Sequence, residues 1–109
     1  MKNIGIDIIE LDRVEKVYKK FGEKFLEKIL TKKELNLIYS IKNRKRFIEK
    51  LAGIFAMKEA IIKCLGDISY KDVTIFYENR KPFAEVKGEI ISVSVSHNKN
   101  YAVAVAIKG

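Results

Sequence analysis

Asp7, Glu59, Lys58 and Lys63 are the side chains whose types and spacing suit them for chemistry in this chain. Lys58, Glu59 and Lys63 fall within one strongly periodic stretch, Phe47 to Gly66, where each residue advances roughly 100° around a helix axis. Phe47, Ile48, Leu51, Ile54, Ile61, Ile62 and Leu65 then share one apolar sector, with Lys58 near its middle and Glu59 at its edge. Lys63 follows Glu59 by one turn along a strip otherwise lined by Ala52, Ala56 and Ala60, where small side chains leave space beside the charges. Taken alone, the helix is accounted for by an i,i+4 pair of Glu59 and Lys63 and by a Lys58 that snorkels to water. An acid at the edge of a core otherwise needs a partner or a cation, because burying it unpaired is costly.

Asp7 supplies a possible second half of a cation site. On an extended strand it shares a face with Gly5 and Ile9, while Ile4, Ile6 and Ile8 point the other way, and Gly5 clears space beside the acid. A hard cation such as Mg2+ takes one or two protein carboxylates and leaves its other positions to phosphate oxygens and water, which matches one acid from a strand and one from a helix. Ammonium groups from Lys58 or Lys63 would complement phosphate charge.

These residues need a strand and a long helix to hold them. Asn3 to Ile9, rich in isoleucine, reads as a largely buried strand. Asp12 to Glu15 has capping-box spacing, Leu11, Val14, Val17, Tyr18 and Phe21 recur at helical intervals, and the helix that starts here stops at Gly22. Phe25, Leu26, Ile29 and Leu30 form a second apolar cluster, and Thr31 to Glu34 again has capping-box spacing before Leu35, Ile38 and Tyr39. The polar run Lys42 to Arg46 leads into the long central helix, with Gly66 placed as its C-terminal cap. Beyond it the period becomes that of strands. Val73 to Tyr77 and Phe83 to Val86 flank a turn at Glu78 to Pro82. Ile91, Val93 and Val95 alternate with serines, and Tyr101, Val103, Val105 and Ile107 alternate with alanines. That pair reads as a hairpin with one bulky face and one face of Ser and Ala, suited to close packing against a helix or another subunit.

At 109 residues the chain fits one domain, 1–109. Its 48% hydrophobic and 33% charged residues exclude a disordered chain, and no apolar stretch is long enough to span a bilayer. The N-terminus lacks a signal-peptide pattern, so the expected location is the cytoplasm. Cys64 is the lone cysteine and reads as a reduced, structural thiol. The net charge of +8 would attract an anionic partner, whether nucleic acid, an acidic protein or a polyphosphate ligand, although solvated lysine-rich helices account for charge alone.

Two segments carry a resemblance that breaks this tie. GIDIIELDRV, Gly5 to Val14, and LAGIFAMKEAIIKCLG, Leu51 to Gly66, resemble the two signatures of the bacterial holo-(acyl carrier protein) synthases, the short members of the phosphopantetheinyl transferases. FxxKEAxxK is far more specific than an isolated acid. ILTKKEL at Ile29 to Leu35, KPF at Lys81 to Phe83 and VSVSHNKNYAVAVAI at Val93 to Ile107 extend the likeness, in order, over nearly the whole chain. The resemblance implies an α+β subunit, a long helix packed on antiparallel strands, that assembles as a homotrimer with active sites at subunit interfaces. It implies transfer of 4′-phosphopantetheine from coenzyme A to a serine of acyl carrier protein, in support of fatty acid biosynthesis, with Mg2+ as cofactor. Asp7 and Glu59 match the family's magnesium ligands, and Lys63 matches a lysine near the coenzyme A pyrophosphate. Lys58 matches the lysine of the KEA triplet, and Arg46, Lys81 and His97 fall in regions resembling nucleotide or phosphate contacts. Arg13 resembles the arginine that docks the acidic carrier, with Val17 and Phe21 as apolar contacts or as ordinary helix packing. The sequence departs from the family at Gly66-Asp67-Ile68-Ser69-Tyr70, where many members carry a GTGIG stretch, and at Asn79 to Pro82, which lacks the glycine often found before Lys-Pro. A small basic nucleic-acid-binding module is the alternative, although the chain has no recognisable aromatic or zinc-based recognition motif.

Overall fold

The computed structural model describes residues 3–109. The chain runs through β1 (Asn3–Glu10), α1 (Leu11–Phe21), α2 (Glu23–Ile29), α3 (Lys32–Tyr39) and α4 (Arg44–Leu65). A 3-10 turn at Tyr70–Asp72 then leads into β2 (Val73–Glu78), β3 (Lys81–Val86), β4 (Glu89–His97) and β5 (Tyr101–Lys108). The strands form one antiparallel sheet in the order β1-β5-β4-β3-β2, so the first strand closes against the last. The result is the expected α+β arrangement, with α4 lying across one face of the sheet.

Small residues let α4 approach that sheet closely. Gly5, Asp7 and Ile9 pair with Ala106, Ala104 and Ala102, and the three alanines are buried beneath the helix. A Cβ on Gly5 would stand 1.9 Å from the Ala60 carbonyl oxygen and 2.7 Å from the Cys64 nitrogen. Both are backbone atoms, so the space left by Gly5 is filled by α4 itself rather than kept open beside Asp7. The Cys64 thiol, buried at the same crossing, donates to the Asn3 carbonyl at 3.3 Å, in keeping with a structural role.

Two expectations about strand faces are corrected. Ile4, Ile6 and Ile8 are 64%, 61% and 64% exposed, because α4 covers the Gly5 and Asp7 face and leaves the isoleucine face outward. The last hairpin does not divide into a bulky and a small face. Val93 pairs with Ala106 and Val95 with Ala104, while Ser92 pairs with Ile107 and Ser94 with Val105. The turn sets odd positions of β4 opposite even positions of β5, so each face mixes one bulky row with one small row. The inner face therefore offers Val93, Val95 and the alanines to α4, and the outer face joins Val103, Val105 and Ile107 to the three isoleucines of β1.

Helix starts and one turn shift from the anticipated positions. Helix α1 begins at Leu11 with no side-chain cap, and its Leu11 N–H instead donates to the Asn100 carbonyl at 2.9 Å. Helix α4 begins at Arg44, where the Asn43 side chain accepts from the Arg46 N–H. The turn anticipated at Glu78 to Pro82 narrows to Asn79 and Arg80, with φ of 50° and 68°, and Lys81 and Pro82 belong to β3. Two left-handed residues are what a tight hairpin turn between twisted strands requires. Pro82 sits one residue before β3 begins to pair with β4, where its missing N–H costs no ladder bond. Among the described residues no helix is long and apolar enough to cross a membrane.

Candidate active site

Strand β1 and the C-terminal half of α4 bring Asp7 and Glu59 to one cleft. The cleft holds about 450 Å³ and is lined by both acids together with Arg13, Val17, Phe25 and Phe55. Asp7 projects from the covered face of β1 and its side chain is only 13% exposed, whereas the Lys63 side chain is 56% exposed. Lys63 does not pair with Glu59 along the helix. Its ammonium donates across to Asp7 Oδ1 at 2.9 Å and to the Ile6 carbonyl at 3.2 Å. The hydrogen bond to Asp7, and then its charge, raise the Lys63 pKa above the ordinary lysine value, so the group stays protonated.

Glu59 has a partner that sequence reading did not find. The Tyr70 hydroxyl donates to Glu59 Oε1 at 2.6 Å, a short, charge-assisted bond. Burial first, and then the Glu59 carboxylate, push the Tyr70 phenol up to about 12. Tyr70 lies in the segment that departs from the family pattern, and no periodicity marks a residue in a single 3-10 turn. Among the described residues, no donor other than Tyr70 reaches Glu59 and none other than Lys63 reaches the Asp7 carboxylate. Each acid thus has one oxygen engaged and a second oxygen to offer.

Lys58 does not belong to this cleft, which corrects both the expectation that its ammonium complements a ligand's phosphate charge, as a coenzyme A contact would, and the expectation that it snorkels to water. Its side chain is fully buried and forms an ion pair with Glu34, which is equally buried. Its ammonium also donates to the carbonyls of Ile29 at 2.8 Å, Tyr70 at 3.0 Å and Val73 at 2.8 Å. Burial lowers the Lys58 pKa, with Glu34 opposing. Four acceptors around one nitrogen form a setting for the charged ammonium, and they leave it no donor for a phosphate. Glu34 completes the hub, accepting from the Thr31 N–H at 2.8 Å and the Ile75 N–H at 2.6 Å. The capping-box acid anticipated at Glu34 therefore also ties α3 to β2 and α4.

The expected nucleotide contacts lie elsewhere on the chain. Arg46 and His97 line a second cleft of about 780 Å³ with Lys50, Tyr77, Arg80 and Pro82, near the N-terminal end of α4. Glu49 and Glu59 are ten residues apart on that helix, roughly 15 Å along its axis. His97 Nε2 stands 3.7 Å from Glu49 Oε2. Lys81 is exposed beside this cleft, and its neighbours Arg80 and Pro82 face it instead. Lys50 lies 4.1 Å above the Tyr77 ring, an aromatic contact that the sequence did not signal.

The expected partner surface adjoins the acids. Arg13 is exposed, Val17 is half-buried, and Phe21 is 52% exposed. Val17, Phe25 and Phe55 also line an apolar groove of about 380 Å³ that continues past Phe21, Lys24, Lys28 and Tyr70. An apolar floor with a cationic rim suits a partner that carries acids around a hydrophobic patch.

The donor chemistry fits a hard cation. Among the described residues there is no cluster of three or more His, Cys, Asp or Glu side chains that would enclose a metal by itself. Two carboxylates with one open oxygen each suit Mg2+, which keeps positions for phosphate and water.

Comparison with known proteins gives one consistent answer. Residues 3–106 match the family model for the 4′-phosphopantetheinyl transferase superfamily. A holo-[acyl-carrier-protein] synthase from Staphylococcus haemolyticus is 38% identical over 107 residues, covering 93% of this chain and 90% of that protein. One from a Geobacillus species is 41% identical over 112 residues, with coverages of 95% and 92%. The crystal structure of a holo-(acyl-carrier-protein) synthase from Bacillus anthracis, in complex with CoA (3′,5′-ADP), superposes with a TM-score of 0.85 at 40% identity, covering 96% of this chain and 93% of that one.

Proposed function

The chain belongs to the 4′-phosphopantetheinyl transferase superfamily, and on that premise we propose that it transfers the 4′-phosphopantetheine group of coenzyme A to a serine of acyl carrier protein. The observation that carries the proposal is the meeting of Asp7 and Glu59 in one cleft, beside the protonated Lys63, in a chain that matches synthases over nearly its whole length. The nucleic-acid-binding alternative has no support among these relatives.

In the reaction, the serine oxygen bonds to the β-phosphorus of coenzyme A, and the bond from that phosphorus to the bridging oxygen breaks. The electron pair leaves with adenosine 3′,5′-bisphosphate, and the serine proton passes to a base. Asp7 and Glu59 would hold Mg2+, which supplies neutralisation of the charge that develops on the pyrophosphate. The hydrogen bond to Asp7 raises the Lys63 pKa and favours its protonated form, which would stabilise phosphate charge. Tyr70, whose pKa is about 12, likewise retains its proton, which leaves a carboxylate of the site or a water held on it to accept the proton from serine.

Arg13, with Val17 and Phe21, faces the acidic carrier, giving the net charge of +8 a specific use. Arg46 and His97, from the walls of the second cleft, and Lys81, exposed beside it, would contact the nucleotide end of coenzyme A from a neighbouring subunit. Two features support a homotrimer with shared sites. The outer sheet face exposes Ile4, Ile6, Ile8 and Ile107, and the Arg46 and His97 cleft is distinct from the one that holds the acids. The test is chromatographic detection of adenosine 3′,5′-bisphosphate from the protein, coenzyme A and Mg2+. Release that requires apo carrier supports the proposal, and release that is indifferent to the carrier or to Mg2+ contradicts it.

A further inference from the structure

We infer that Tyr70 is a positioning residue for phosphopantetheine transfer, holding the Glu59 carboxylate by one oxygen so that the other is presented to the cation. The inference rests on the reading of Asp7 and Glu59 as cation ligands. Three independent contacts fix Tyr70. Its hydroxyl donates to Glu59 Oε1 at 2.6 Å, its ring packs on Phe55 with centroids 5.8 Å apart, and its backbone carbonyl accepts from Lys58 at 3.0 Å. Phe55 is itself held edge-on by Phe25 at 5.8 Å. The 3-10 turn that carries Tyr70 is pinned at its start, where Asp72 accepts from the Ser69 N–H at 2.9 Å and the Ser69 hydroxyl at 3.2 Å.

A glutamate at the edge of a helix has three rotatable side-chain bonds, and ordering it costs entropy whenever a ligand must do the ordering. Tyr70 does that ordering before any ligand arrives, as partners behind a metal ligand commonly do. The arrangement mirrors Asp7, where Lys63 engages Oδ1. It also gives buried Lys58 an indirect part in the site. Lys58 and Glu59 are adjacent on α4 and point to opposite ends of Tyr70, one gripping its carbonyl and the other its hydroxyl. The short loop from Gly66 to Ser69 brings the tyrosine into this position, so the departure from the family's glycine-rich stretch coincides with a contact to a proposed metal ligand.

The test uses the full chain with Tyr70→Phe, which keeps the ring contact to Phe55 and removes only the hydroxyl. Thermal melting, Mn2+ binding to the protein and coenzyme A complex without carrier (by electron paramagnetic resonance of free Mn2+), and kcat and KM for carrier are measured. Mn2+ affinity should fall about 10–100-fold and kcat with it, while the melting temperature stays near that of the wild type. In a Glu59→Gln background, Tyr70→Phe should change Mn2+ affinity no further. If Tyr70→Phe binds Mn2+ like the wild type while Glu59→Gln does not, the positioning role is refuted and the metal assignment stands. If Glu59→Gln itself leaves Mn2+ affinity intact, the ligand assignment fails and the inference falls with it. A Tyr70→Phe protein that melts early but binds Mn2+ normally per folded molecule would make the hydroxyl merely structural and also overturn it.

Discussion

Lys58 and Lys63 lie five positions apart on one helix and are both lysines of the same motif, yet their removal should have opposite signatures. Lys58→Met would strand the Glu34 carboxylate in a fully buried site and leave the carbonyls of Ile29, Tyr70 and Val73 without their donor. Removing one member of a buried pair costs about 3–5 kcal/mol, against a total stability of roughly 5–15 kcal/mol for a domain. At about 4–8 °C per kcal/mol for a domain near this size, melting should fall by on the order of 12–40 °C. Adding Glu34→Leu should recover only part of the loss, because Glu34 also accepts from the Thr31 and Ile75 N–H groups. Lys63→Met, at an exposed position, should melt close to the wild type and lose turnover instead. Circular dichroism melts at matched protein concentration, with transfer rates measured below each midpoint, separate the two. A Lys58→Met protein that melts like the wild type yet fails to transfer would place Lys58 on the ligand and refute the structural assignment.

Glu59→Gln should keep its fold and lose transfer by about two orders of magnitude, since a neutral amide is a poor Mg2+ ligand; a folded variant with normal turnover contradicts the metal assignment. Gly5→Ala forces a methyl against the Ala60 carbonyl, so it should destabilise the protein by about 1–3 kcal/mol and slow transfer by displacing Asp7, as read by melting and turnover together. Arg13→Glu should weaken carrier binding and leave coenzyme A affinity unchanged by calorimetry, with added salt affecting the wild type more than the variant. On the proposed homotrimer with shared sites, Ile6→Glu on the exposed sheet face should yield a monomer by light scattering and lose transfer, and a variant that stays trimeric and active contradicts that assembly.

Much of the site was legible because its residues lie in regular elements. Alternation in β1 correctly put Asp7 with Gly5 and opposite the isoleucines, and helical spacing put Glu59 and Lys63 on one strip. The environments closing over those positions were not legible. A helical angle placed Lys58 in the apolar sector but could not show that Glu34 and carbonyls from two other segments, Ile29 and Tyr70 to Val73, converge on it. Alternation likewise tells which residues share a face and not which face a helix will cover, so the exposed isoleucines were read as buried. The parity of the turn after His97 decided the hairpin faces, and strand composition carries no record of it. Tyr70 follows a loop whose path has no periodic signal, so its meeting with Glu59 became visible only in three dimensions.

The central claim is tested most directly by mass spectrometry of apo acyl carrier protein incubated with this protein, coenzyme A and Mg2+. The carrier should gain the mass of one phosphopantetheine on its serine, and the gain should vanish with chelator or in the folded Glu59→Gln variant. An unmodified carrier in the presence of folded wild-type protein, or full modification by Glu59→Gln in chelator, would contradict the account.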